Sequence, residues 1–421
     1  MTKLAQFSLG TGDRFARQAA AQLSAVSAAA EQGIALDIVW NKSFREHKTI
    51  GSQPASTREA ADAAVRAYRN SGADRAWKGN YYLDADHIGL ETVGIYLPYA
   101  EFYTLDVADA IGRDCDDAYR RRFMDAAESW IGKNIAVEGL EGGITIAAEI
   151  AHRVASHYLF AVKSAGDLYR HIAEQRAGKA LIIEVSMDET ATPQTPEEIF
   201  LILLALSLEG VPLQTFAPRF SGRFNKGVQY VGDPAAFAEE FEKDSLILRH
   251  AAGVLGLPDN LKLSLHSGSD KFAIYPDISR IVKKHDVGLH VKAAGTTWLE
   301  EVIGLLEAGE SDFVKDMYRP CLHPMDELTG PYTEVIDIDA SALPTADELE
   351  SPSGDELISM LRHDLDNPRY NPSLRQLFHG GFKIAAERRE EYLSRLERHE
   401  EIISREVKAN LLERHILRIW G

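Results

Sequence analysis

Largely apolar runs recur at Gln6–Leu9, Leu36–Trp40, Gly79–Leu83, Phe102–Asp106, Ala180–Val185, Leu213–Ala217, Leu261–Leu265 and Gly288–Val291, each of strand length. Between most of them the apolar positions take the three-to-four-residue spacing of a helix face, in Arg14–Gln32, Ser56–Ser71, Asp116–Ile131, Pro196–Leu208, Ala235–Leu255 and Thr297–Ala308. Strands separated by such helices pair in parallel through right-handed crossovers. Eight units suit closure better than an open sheet, so residues 1–310 are predicted to form a (β/α)8 TIM-type barrel of the α/β class.

Two stretches depart from the rhythm. Asn134–Lys179 is long for one crossover and is expected to hold two helices, with Gly139–Gly143 as the turn. Ser311–Asp355 carries Pro320, Pro324, Pro331, Pro344 and Pro352 among many acids and reads as an irregular connection. From Asp355 onward, Leu393, Leu396, Ile402, Ile403, Val407, Leu411 and Ile416 mark a helical C-terminal extension among solvated charges. Residues 311–421 are therefore expected to pack on the barrel or to form an interface for self-association.

Composition narrows the partners. A formal net charge of −18 repels nucleic-acid backbones, although a metal and a few basic groups could still reverse the field locally for an anionic substrate. No apolar stretch approaches the ~20 residues of a membrane span. Cys115 and Cys321 are too few for a disulfide framework and show no CxxC spacing, and Met1–Gly10 lacks the basic-then-apolar pattern of a signal peptide. A cytoplasmic protein acting on a small polar molecule is expected.

The predicted strands end in chemistry-capable residues, the place where such barrels carry their sites. His87, His266 and His290 close three different strands, and three convergent imidazoles would hold a divalent metal with a position open for substrate. Without HExxH or HxxxH spacing the alternative stands that these histidines bond substrate or structure directly. Asp86 beside His87, with Glu184 and Glu189 on strand five, offers carboxylates on two sides of a bound carbinol for proton transfer. Asp188 and Asp270 read equally well as caps or ion-pair partners. The basic set is Lys42, Arg219, Arg223, Lys271 and Lys292. Lys292 shares a face with His290 by period two, and either meets substrate or pairs with Glu184 or Asp106. Thr296, in Ala294–Gly295–Thr296, opens a predicted helix and could bind an anion through its N-terminus. His379 and His415 are expected to pack or cap.

Four segments carry a resemblance: Tyr82–Thr92 (YLDADHIGLET), Glu184–Thr190 (EVSMDET), His266–Phe272 (HSGSDKF) and Leu289–Thr296 (LHVKAAGT). Together they resemble the tagaturonate/fructuronate epimerase family, whose relatives act on fructose and tagatose at C4, and the resemblance continues into Asn410–His415. It implies an epimerase of keto-sugar acids or ketohexoses. It further implies a divalent metal (Zn, Mn, Ni or Co) on His87, His266 and His290, Asp86 as proton acceptor, and a glutamate of the Glu184–Glu189 segment as donor, Glu189 being nearer the mouth. Proton transfer and retro-aldol cleavage both remain open. A class II aldolase or ketose isomerase on the same metal is the alternative chemistry. A sugar-acid binding protein fits less well, because binding alone needs no acid pair.

Overall fold

The computed structural model describes residues 2–72, 76–188, 190, 192–322 and 336–421. Eight parallel strands close into a barrel: β1 (Phe7–Gly12), β2 (Asp37–Ser43), β3 (Tyr81–Ile88), β4 (Phe102–Asp106), β7 (Ile182–Ser186), β8 (Leu213–Ala217), β9 (Lys262–Leu265) and β10 (Leu289–Lys292). β5 (Asn134–Ile135) and β6 (Ile144–Thr145) form a small separate antiparallel pair. Each of the eight predicted strands corresponds to one barrel strand. Helices cover the outside, so both strand faces are buried, and β7 and β8 are buried at every residue. That is why their sequences run nearly continuously apolar instead of alternating.

The helix Pro196–Leu208 shows how local signals place these elements. Thr195 and Glu198 form a reciprocal capping box, and Pro196 occupies the first turn, where its missing N–H costs nothing. Its apolar residues continue around the whole circumference because it is wedged among Ala148–His157, Leu159–Gln175 and Pro234–Leu255. Where β1 ends, a Cβ on Gly12 would lie 2.4 Å from the Ala294 carbonyl oxygen, so this position requires glycine for the segment after β10 to approach.

The long crossover holds the two expected helices, Ala148–His157 and Leu159–Gln175. Gly139–Gly143, however, lies in the loop of the β5–β6 hairpin, with Gly139, Gly142 and Gly143 at positive φ. Two-residue strands are too short to leave a periodic trace. The connection after the barrel also begins as a helix, Ser311–Leu322, which buries Phe313, Val314, Met317, Tyr318 and Cys321. Pro320 is tolerated in its last turn, where little helix remains to be disrupted. Pro324 and Pro331 lie outside the described residues. Beyond it come helices at Gly354–Leu361, Pro372–Gly380, Phe382–Glu387, Arg389–Arg398 and Glu400–Ala409, a wide π turn over Asn410–Ile416, and a final turn, Leu417–Trp420. Glu400–Ala409 lies against Thr296–Glu307 and Ala19–Glu31, and Leu417–Trp420 against Tyr275–His285.

Candidate active site

At the C-terminal end of the barrel, β3 breaks its own alternation. Ala85 pairs with Tyr103 and Ile88 with Leu105, so three steps on β3 match two on β4. The extra residue is a bulge, with His87 at φ 53. Regular pleating would send Asp86 and His87 to opposite faces. The bulge brings both to one cavity of about 620 Å³, which they line with Asp188, Arg219, His266 and Lys292. A second lobe of about 220 Å³ joins it at Asp86, His87, Lys226 and Gly295, and the C-terminal helices close it with His379 and Phe382.

Lys292 is the hub of the floor. Its buried ammonium lies 2.7 Å from Asp86 Oδ1, 2.9 Å from Asp84 Oδ2 and 2.9 Å from Glu184 Oε1, and donates to Thr104 Oγ1 at 2.6 Å. Burial alone would discharge the amine, but the three carboxylates outweigh it and hold Lys292 protonated well above its ordinary range. Burial would likewise raise Asp86, yet Lys292 and His87 beside it keep that carboxyl ionised, well below the usual range. Asp84, one period-two step deeper, is pushed up to about 6 by burial despite Lys292. Glu184 is committed on every side, accepting from Thr104 and Thr215 hydroxyls at 3.1 and 2.8 Å and pairing with Lys292 and His266. Against the desolvation it suffers, Lys292 and His266 hold it ionised.

Beside this floor, ligand atoms of His87, His266 and Asp188 lie within 4.8 Å of one another. His87 Nδ1 is engaged by Asp106 Oδ2 at 3.0 Å, which leaves Nε2 facing the cavity. His266 Nε2 is engaged by Glu184 at 2.8 Å, while its Nδ1 is buried without a hydrogen bond, 3.1 Å from Asp188 Oδ2. A carboxylate behind each imidazole and a bare nitrogen in front is the arrangement that orients histidine toward a metal ion. Burial would lower the His87 pKa, but Asp86, Asp106 and Asp188 raise it to about 10. On the floor, five carboxylates surround Lys292 and two imidazoles, while Arg219, Arg223 and Lys226 stand around the rest of the cavity. The donor set of the floor fits a divalent cation.

Several expected positions fall elsewhere. His290 does not join the other two histidines; Asp188 takes its place in the cluster. Two residues before Lys292 on β10, His290 sits a layer deeper, bonded through Nδ1 to Ser8 Oγ at 2.8 Å with its ring 5.3 Å from that of Phe102. Burial pushes its pKa down to about 3. Lys42 follows the inward-facing Asn41 and points away from the lumen, to Glu46 Oε1 at 2.7 Å and to Ser52. Lys271 is buried and donates to the carbonyls of Asn225, Val228 and Ser269, each at 2.8 Å, which ties two loops together. Thr296 bonds Asn410 Oδ1 at 3.1 Å inside the structure. Arg219 does line the cavity, half-buried, its Nη1 donating to the Asp188 carbonyl at 3.3 Å. Arg223 lines it too, paired with Asp337 at 3.1 Å. Glu189 lies outside the described residues. Asp84, Asp106 and Asp188 are not singled out as site residues from sequence; Asp106 and Asp188 stand at or just beyond a strand end, and Asp84 lies inside β3.

Comparisons with known proteins bear on the family and the fold. A family model described as UxaE, tagaturonate epimerase, matches residues 1–418. A tagaturonate/fructuronate epimerase of Thermotoga maritima is 27% identical over 97% of this chain and 80% of its own length. The glycerol-complexed crystal structure of the fructuronate-tagaturonate epimerase UxaE from Cohnella laeviribosi superposes with a TM-score of 0.80 at 25% identity, covering 100% of this chain and 82% of that one. With the family model matched across nearly the whole chain, this protein belongs to the UxaE tagaturonate epimerase family.

Proposed function

We propose that this chain is a divalent-metal-dependent epimerase interconverting keto-sugar acids of the tagaturonate/fructuronate type. The observation that carries the reading is the convergence of the His87–Asp188–His266 cluster with Asp86 and Lys292 on one mouth. His87, His266 and Asp188 would hold the ion, and a set of two imidazoles and one carboxylate suits Zn, Mn, Ni or Co while leaving positions for substrate. When bound, the ion supplies electrophilic stabilisation of negative charge on substrate oxygens. Arg219, which has no carboxylate partner among the described residues, is the anchor for the substrate's own carboxylate. Free Cys115 and Cys321 suit a reducing, cytoplasmic setting.

The two keto acids differ at C4, the carbon β to the C2 ketone, whose C–H is not acidified. A retro-aldol route avoids that difficulty. Asp86, ionised and held by Lys292, takes the proton of the C4 hydroxyl. The C3–C4 bond breaks, its electron pair passes into an enediolate over C2 and C3, and C4 becomes an aldehyde. The Lys292 ammonium offsets the enediolate charge. Rotation about C4–C5 presents the other aldehyde face, the bond re-forms, and Asp86 returns the proton to the new C4 oxygen. One shuttling carboxylate suffices, and Glu184 serves by fixing Lys292 and His266.

Turnover of tagaturonate in D2O, followed by NMR, tests the route. We expect no deuterium at C4 and a three-carbon aldehyde acid trapped by borohydride; deuterium at C4 would overturn the cleavage and call for a second acid. Activity should vanish with chelator and return with Mn²⁺. Full activity of a verified metal-free preparation refutes the metal.

A further inference from the structure

The C-terminal extension reaches the mouth at the loop that follows β9. Between His266 and Lys271 the chain places two non-glycine residues in the left-handed region, Ser267 at φ 50 and Asp270 at φ 62. Each such residue costs roughly 1–3 kcal/mol and persists only where its surroundings impose it. Here the imposing groups are remote in sequence. The Asp270 backbone N–H donates to His415 Nε2 at 3.1 Å, and the same ring donates from Nδ1 to the Asn410 carbonyl at 2.9 Å. This pair of bonds fixes one neutral tautomer, and burial keeps it neutral by pushing the His415 pKa down to about 4. Asn410 and His415 are five residues apart on the π turn, the spacing that turn creates.

The Asp270 carboxylate is fully buried and accepts from Arg375 Nη2 at 3.2 Å. Arg375 also donates to the carbonyls of Gly227 and Leu361. Gly227 follows Lys226, which donates to Ser267 Oγ at 2.6 Å. One buried guanidinium thus links the extension to both loops that flank His266.

Resting on the metal reading above, we propose that His415 and Arg375 are positioning residues of the active site: they hold the His266–Lys271 loop in its left-handed form and so aim His266 Nδ1 at His87 and Asp188. Neither touches substrate. They act through the loop.

His415→Phe keeps an aromatic ring and deletes the acceptor, whereas His415→Gln restores an oxygen acceptor. Each variant is measured for unfolding temperature in chelator, for the dissociation constant of Mn²⁺ alone, and for kcat and KM on tagaturonate. We expect His415→Phe, folded by circular dichroism, to bind Mn²⁺ about 10-fold or more weakly and to lose kcat more than KM, as supporting-residue changes at metal sites do. His415→Gln should recover most of both. Wild-type Mn²⁺ affinity and kcat in a folded His415→Phe protein overturn the proposal, as does a His415→Gln protein impaired to the same extent. Should His415→Phe fail to fold, Arg375→Lys decides: it keeps the charge, loses the three-way fork, and must weaken Mn²⁺ binding for the proposal to stand. Failure of the underlying metal reading looks different, since the wild type would then bind no Mn²⁺ and would work in chelator.

Discussion

Replacing Lys292 by methionine removes one buried charge and strands three. The ammonium contacts Asp86, Asp84 and Glu184 at 2.7, 2.9 and 2.9 Å. At an effective dielectric of ~20, each contact is worth about 6 kcal/mol of attraction, most of it spent on desolvation. The net cost of breaking a buried pair from one side is about 3–5 kcal/mol. With unfolding entropy near 2.1 cal/mol/K per residue, a chain of 421 residues carries ~0.9 kcal/mol/K, so Lys292→Met should lower Tm by about 3–6 °C.

The pH dependence identifies the cause. Without Lys292 the folded-state pKa of Asp84, already above its unfolded value of about 4, rises further, and those of Asp86 and Glu184 rise from below that value. A carboxyl raised in the folded state costs stability at higher pH, and the cost fades as pH falls through its folded value toward the unfolded one. Asp84 already stands near 6 in the wild type, so its part of the deficit fades above pH 6, while Asp86 and Glu184, depressed in the wild type, supply the relief below it. Thermal unfolding at pH 5 and pH 8, in chelator so that no divalent ion compensates, should show the larger deficit at pH 8. A deficit equal at both pH values, or none, would refute the assignment of Lys292 as counter-charge to the cluster.

Three further outcomes follow. Asp188→Asn and His266→Asn should abolish stoichiometric Mn²⁺ or Zn²⁺ binding by competition titration, whereas His290→Gln, altered one layer below, should retain it. Arg219→Gln should lower kcat/KM for a uronate by about 10–150-fold, the range of a charge-assisted hydrogen bond, while leaving any turnover of a neutral ketohexose unchanged. On the helix Pro234–Leu255, Asp244 is buried with neither carboxylate oxygen bonded among the described residues, and burial raises its pKa well above the ordinary value. A raised acid costs stability above its unfolded pKa of about 4, so Asp244→Asn should raise Tm at pH 8 and leave it unchanged near pH 4; no gain at pH 8 contradicts the burial assignment.

The barrel was legible because each strand is a compact apolar run and each crossover helix keeps its face, signals that tertiary packing reinforces. Much of the mouth was legible too. Asp86, His87, Arg219, His266 and Lys292 were found by their positions at strand ends, and all line the cavity. Position along a strand does not give depth across the barrel, and there the inference failed. His290 and Lys292 share a face, as period two requires, yet only Lys292 reaches the mouth. Lys42 follows an inward Asn41 and therefore faces away, which strict alternation could have indicated. Lys271 and Thr296 belong to the supporting framework through contacts with loops and helices distant in sequence.

What no periodicity could supply is the set of departures from regular backbone. Among described non-glycine residues, positive φ occurs at Ala16, His87, Ser267, Asp270 and Asp286, and three of these five lie in the β3 bulge and the loop after β9, at the mouth. At His87 a bulge lets two adjacent side chains enter one cavity; at Ser267 and Asp270 the chain leaves β9 so that His266 remains beside Asp188. Each departure is unfavourable locally and is held by distant groups: Asp106 on the His87 ring, His415 and Arg375 on Asp270. The site therefore depends on the whole fold, extension included, rather than on strand ends alone. Short-range pattern names the residues that gather at the mouth, while the long-range contacts that deform the backbone determine which of their atoms meet.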